Sequence, residues 1–183
     1  MITVKDREVF LLEAKKHLPS SPICVELGVL HGDFSEKIFN ILNPANLLMV
    51  DPYEVNGKQY KMGLQTAYST DIDYDNVLKR FESDIISGRV VIERRYSYES
   101  VTQWSPYFFD FIYHDASHLY EDLRRDLKEW LPKMMPDGLI CGHDYINHDS
   151  FGVIQAVDEF IKEHNFEMII LNSNGGDFAL KRK

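Results

Sequence analysis

The feature that most constrains this chain is an alternation of short apolar runs with amphipathic segments at helical spacing. "ICVELGV" (23–29), "LLMVDP" (47–52), "VVIERR" (90–95), "FDFIYHD" (109–115) and "LICGHD" (139–144) read as buried strands. Between them lie segments of helical period. Ile38, Phe39, Ile41 and Leu42 make a short helix, a further helix is expected over 71–87, and the clearest one carries Leu119, Tyr120, Leu123, Leu127, Trp130 and Leu131. Val9, Phe10, Leu12 and Ala14 give an opening helix over about 5–18, and Val153, Ile154, Val157, Phe160 and Ile161 give a last one capped by Asp149 or Ser150. Such alternation implies a parallel sheet covered by helices on both faces. "EMIIL" and "DFALKR" close the chain, and the short "NSNGG" joint between them requires an antiparallel pair. The expectation is a doubly wound α/β fold with a mostly parallel seven-stranded sheet and an antiparallel last strand.

Nothing divides the chain: 183 residues without repeats or a low-complexity linker imply a single domain over 1–183. A net charge of −9 with no Lys/Arg cluster argues against nucleic acid as a partner. No apolar run is long enough to span a membrane, and the charged N-terminal segment lacks the apolar region of a signal peptide. A cytoplasmic protein acting on small molecules is expected, and a homo-oligomer is compatible with all of this. Cys24 and Cys141 fall inside strands and read as small core hydrophobes.

Ligands on parallel sheets bind beyond the carboxyl ends of the strands. Glu26, Asp51, His114-Asp115 and His143-Asp144 all fall at such ends. "VELGVLHGDFS" places Gly28 and Gly32 in a turn that opens a helix, where backbone N–H groups can face an anion. Its spacing is not the G-x-G-x-x-G of a dinucleotide site. Asp51 follows at the distance where an acidic side chain accepts from ribose hydroxyls, although an aspartate before Pro52 also suits a turn. His31 sits in the glycine turn. The aperiodic stretch from Tyr53 to Thr70 reads as a functional loop.

"VELGVLHG", "LLMVDPY", "FDFIYHDASHLYEDLRRDL" and "PDGLICGHDY" together resemble the class I S-adenosylmethionine-dependent methyltransferases. The similarity is greatest to methyltransferase family 24, related to the O-methyltransferases that act on macrolide sugars. It extends over nearly the whole chain and implies a Rossmann-like methyltransferase fold. It also implies that Glu26, Gly28 and Gly32 surround the methionine part of the cofactor with Glu26 near its amino group, that His31 is among the cofactor-binding residues, that Asp51 holds the ribose, that Ser97 and Tyr98 lie by the adenine, and that Asp115 approaches the sulfonium.

Transfer to a hydroxyl needs a base or a metal to stabilise the developing alkoxide. Asp115 and Asp144 end strands expected to be neighbours, so they are candidate ligands for Mg²⁺ or another divalent cation. In the metal-dependent relatives, an Asp or Asn stands beside the second aspartate; here the neighbours are His143 and Tyr145. His143 or His118 is thus either a third ligand or a metal-free general base, and His114 is either functional or a core histidine. Asp126, Asp122 and Glu121 read as a solvated helix face. The expected function is methyl transfer from S-adenosylmethionine to a hydroxyl of a small, sugar-like acceptor. The rival readings are a non-catalytic cofactor-binding protein and a nucleotide-dependent oxidoreductase.

Overall fold

The computed structural model describes residues 1–53 and 70–183. The expected loop between Tyr53 and Thr70 therefore lies, apart from its end residues, outside the described residues. Among the described residues, eight strands form one sheet: β1 (Ile2–Val4), β2 (Ile23–Leu27), β3 (Asn46–Val50), β4 (Val90–Glu93), β5 (Phe109–His114), β6 (Met134–Gly142), β7 (Phe166–Asn172) and β8 (Phe178–Arg182). Their order is β1-β7-β8-β6-β5-β2-β3-β4. All pairings are parallel except those of β8 with β6 and β7. The antiparallel closing strand is as expected from "NSNGG". The strand order reverses between β2 and β5, so the ligand crevice of such a sheet opens above those two strands.

Helices α1 (Arg7–Lys15), α2 (Asp33–Leu42) and α3 (Asp71–Arg80) cover one face, burying Phe10, Leu11, Phe34, Ile38 and Val77. A short α4 (Glu82–Ile86) follows α3. The other face is covered by α6 (Tyr120–Trp130) and α7 (Val153–His164), with α5 (Ser97–Ser100) between β4 and β5. Leu123, Leu127, Trp130, Val157 and Phe160 supply that second core. Period-two alternation along each strand feeds the two cores: Cys24, Phe111 and Tyr113 face one side, Val25, Leu27 and Ile112 the other. Both cysteines are buried, unpaired core residues.

Four local expectations need correction. An eighth strand, β1, adds to the seven; its three residues pair with Ile170–Asn172 near the other end of the chain, a partner no local pattern reveals. The strand expected over 139–144 is β6 over Met134–Gly142, so it takes in Pro136-Asp137-Gly138, where the register jumps from Phe109↔Met134 to Phe111↔Leu139 and the irregularity is absorbed as a bulge. The N-cap of α7 is Gly152, without a side-chain cap bond, in place of Asp149 or Ser150. Ser150 instead bonds the ring of His148. Asp126 is not on a solvated face. It is 2% exposed beneath the sheet, while Glu121 is exposed and Asp122 half-buried.

Candidate active site

The glycine turn above β2 is held from both sides. Gly28 has φ +89°, and a Cβ there would sit 2.3 Å from the carbonyl oxygen of Asp115. Only glycine allows the ends of β2 and β5 to approach this closely. Asp51, at the end of β3, accepts hydrogen bonds at Oδ2 from the N–H groups of Val29 (2.9 Å) and Leu30 (3.0 Å). Its Oδ1 accepts from Tyr53 N–H at 3.0 Å. The structure thus shows Asp51 as a brace of the turn. Gly32, φ +76°, precedes α2 and leads straight into its first turn.

Glu26 lies inside this turn, 1% exposed, bonded by the Ser35 hydroxyl. Burial pushes its carboxyl up to about 8, against the opposing effect of Ser35; the nearby charge of Asp115 adds to the rise. A buried acid of this kind is suited to meet a cation. His31 is exposed and pairs through Nδ1 with Asp73 at 2.9 Å, at the capped start of α3.

The two His-Asp endings converge, but not symmetrically. His114, the last residue of β5, turns to the α6 face, where its Nε2 lies 3.1 Å from Asp126 Oδ2. The Ser97 hydroxyl donates to the same oxygen at 2.5 Å, and Arg125 bonds Oδ1. His114 is therefore a satisfied core histidine, and Ser97 is turned toward Asp126. Tyr98, its neighbour, is half-exposed, stacks on Tyr96 and lies under the Arg125 guanidinium.

Asp115, Asp144, His118 and His143 form the second group. His118 Nδ1 is 3.1 Å from Asp144 Oδ2, and its Nε2 is 3.5 Å from Asp115 Oδ1. That second distance is an ion-pair contact too long for a good hydrogen bond, and among the described residues the buried Nε2 has no hydrogen-bond partner. His143 Nδ1 stands between both carboxylates, 3.3 Å from Asp144 Oδ1 and 3.5 Å from Asp115 Oδ1. Burial disfavours its charge, but the adjacent carboxylates of Asp115 and Asp144 outweigh this and push the imidazole up to about 10. Asp115 is held well below the usual carboxylate range: burial acts against this, and His118, His143 and Arg7 overcome it. Asp144 itself adopts φ +58°, a left-handed conformation that aspartate tolerates better than most residues.

Two contributors escape a sequence reading. Arg7 of α1 donates from Nη2 to Asp115 Oδ2 at 3.1 Å and from Nε to Asp177 at 2.9 Å. The only signal for it is a basic residue in the first helical turn, where the helix dipole favours acids. Asp177, fully buried, carries no signal at all.

The metal expectation does not fit this donor set. Among the described residues, no group of three or more His, Cys, Asp and Glu side chains is arranged to hold an ion. The oxygens of Asp115 and Asp144 instead face two imidazoles and a guanidinium.

The sequence pattern of the family described as "Methyltransferase domain", family 24, matches residues 25–145. Among curated proteins, none matches this chain. Several solved structures share the fold. The O-methyltransferase NovP superposes with TM-score 0.69 at 15% identity, covering 97% of this chain and 79% of NovP. CalS11, a TDP-rhamnose 3′-O-methyltransferase of calicheamicin biosynthesis, gives 0.66 at 15%, covering 96% and 76%. The O-methyltransferase TomG of Streptomyces achromogenes, involved in tomaymycin synthesis and solved with S-adenosylmethionine, gives 0.61 at 12%, covering 96% and 79%.

Proposed function

The chain belongs to the family 24 methyltransferase domains, and from that premise we propose that it transfers a methyl group from S-adenosylmethionine to a hydroxyl of a small molecule. The observation that carries the acceptor chemistry is the His118–Asp144 pair: Nδ1 is engaged by a carboxylate, and the buried Nε2 has no hydrogen-bond partner among the described residues. An imidazole held this way through one nitrogen presents the other as a proton acceptor. The cofactor supplies an electrophilic methyl group on a sulfonium. Glu26 is suited to its ammonium group, because a desolvated acid gains most from an opposing charge.

The chain's own residues then divide the work. His118 Nε2 would accept the proton of the acceptor hydroxyl, whose oxygen bound S-adenosylmethionine would methylate on its way to S-adenosylhomocysteine. Asp144 stabilises the imidazolium so formed. His143 cannot serve as this base, since its ring is already protonated at neutral pH and fixed between two carboxylates. Asp115, pinned by Arg7, keeps that second imidazole in place. TomG, NovP and CalS11 are O-methyltransferases, which supports the same acceptor atom here.

The test is conversion of S-adenosylmethionine to S-adenosylhomocysteine with a panel of hydroxylated metabolites. His118→Gln should lower kcat by about 10²-fold or more, the range for losing a general base, with cofactor affinity unchanged. Full activity of that variant would remove His118 from the reaction.

A further inference from the structure

The N-terminal helix reaches the active site through one side chain. Arg7 occupies the first position of α1, which Asp6 caps by accepting from the N–H groups of Glu8 and Val9. The guanidinium packs 3.9 Å over the Phe34 ring, in the first turn of α2 beside the glycine turn. Its polar contacts are with Asp177 Oδ1 (2.9 Å, from Nε), the Tyr113 hydroxyl (2.6 Å, from Nη2) and Asp115 Oδ2 (3.1 Å, from Nη2).

These contacts are built into the fold. Asp177 and Tyr113 are fully buried, the Tyr113 hydroxyl donates to Asp177, and Asn172 Nδ2 donates to the other Asp177 oxygen at 2.7 Å. The network therefore anchors Arg7 from β5, β7 and the turn before β8 at once. Asp115 is divided by it: Oδ2 belongs to Arg7, which leaves Oδ1 facing His118 and His143. A planar fork holds these three oxygens from two nitrogens fixed in one plane, whereas an ammonium group offers all its donors from a single atom on a flexible stem.

We propose that Arg7 is a positioning residue for the reaction, acting through Asp115 to set where the His118 and His143 imidazoles stand. The N-terminal helix is then part of the catalytic apparatus. This rests on the methyl-transfer reading above, but its structural half does not depend on it.

The experiment compares wild type with Arg7→Met, which keeps the length and loses the charge, and Arg7→Lys, which keeps the charge and loses the fork. Three quantities are read: kcat and cofactor KM for methyl transfer, the thermal midpoint, and the imidazole ¹⁵N shifts of His118 and His143 in the full-length protein. In Arg7→Met, kcat should fall about thirtyfold or more with cofactor KM within about threefold, and the shifts of both imidazoles should move. Arg7→Lys should recover part of kcat with a thermal midpoint near wild type. If Arg7→Met fails to fold, Arg7→Lys decides alone: reduced kcat with moved shifts supports the role. Unchanged kcat and shifts in the folded variants overturn it, as does a loss of activity that only follows the loss of folded protein. If wild type transfers no methyl group, the functional reading fails, and the imidazole shifts still decide whether Arg7 orders the pair.

Discussion

Glu26 sits in an environment far from its chemistry in water. Its ordinary value of 4.5 is pushed up to about 8, first by burial. Between those values the folded chain holds a proton that the unfolded chain has released, so stability falls as pH rises across that window. Glu26→Gln removes the titration. The variant's thermal midpoint should therefore exceed that of wild type at pH 8 and approach it near pH 5. A constant difference at all pH values would show that Glu26 is ionised in the fold. Where the cofactor's ammonium meets this acid, binding at pH 7 should release on the order of one proton. Calorimetry in buffers of different ionisation enthalpy reads that number directly, and buffer-independent heats would separate Glu26 from the ammonium. At this scale the sequence was informative wherever an ionisable residue ended an apolar run, as with Glu26, Asp115 and Asp144. It was silent on Arg7, whose partners lie 108 and 170 positions away, and on Asp126, whose burial depends on His114 and Ser97 arriving from other elements.

At the level of elements, the joint between β2 and α2 is where backbone and chemistry meet. Gly28 and Gly88 both have positive φ, at +89° and +76°, but their surroundings differ completely. A Cβ at Gly88 meets nothing within 4 Å, whereas at Gly28 it would strike the backbone of Asp115 and Ala116. Gly88→Ala should cost about 1–2 kcal/mol, the penalty of a left-handed conformation alone. Gly28→Ala should cost at least about 3 kcal/mol, because the ends of β2 and β5 must also separate. Chemical denaturation of the two variants checks the contrast, and equal costs would mean that the crossing is not tight. Periodicity made α1, α2, α6 and α7 legible, since each buries a continuous apolar stripe. The β6 bulge and the Gly152 cap were not legible: a Pro-Asp-Gly sequence normally ends an element, and only the pairing of β6 with β5 carries it through.

Across the whole molecule, the site is gathered from both ends and the middle of the chain. Arg7 comes from the first helix, Glu26 from β2, Asp51 from just past β3, the His118 group from the turns that follow β5 and β6, and Asp177 from the turn before β8. What the sequence suggested as a cation site has become a set of charges that balance one another. Asp115 and Asp144 supply the negative charge, while Arg7 and the protonated His143 supply the positive charge a divalent ion would otherwise bring. Hard cations such as Mg²⁺ require open carboxylate oxygens in near-octahedral geometry, and these oxygens already face Arg7, His143 and the Nδ1 of His118. Bringing an ion to them would first break contacts that hold both imidazoles. Methyl transfer should therefore continue within about twofold in excess chelator, since a reaction driven by a positioned base needs no Lewis acid. Added Mg²⁺ or Mn²⁺ should not raise kcat. Activity that disappears with chelator and returns with either ion would show that the carboxylates exchange their imidazole partners for a cation during turnover, and His118 would then lose its place as the base.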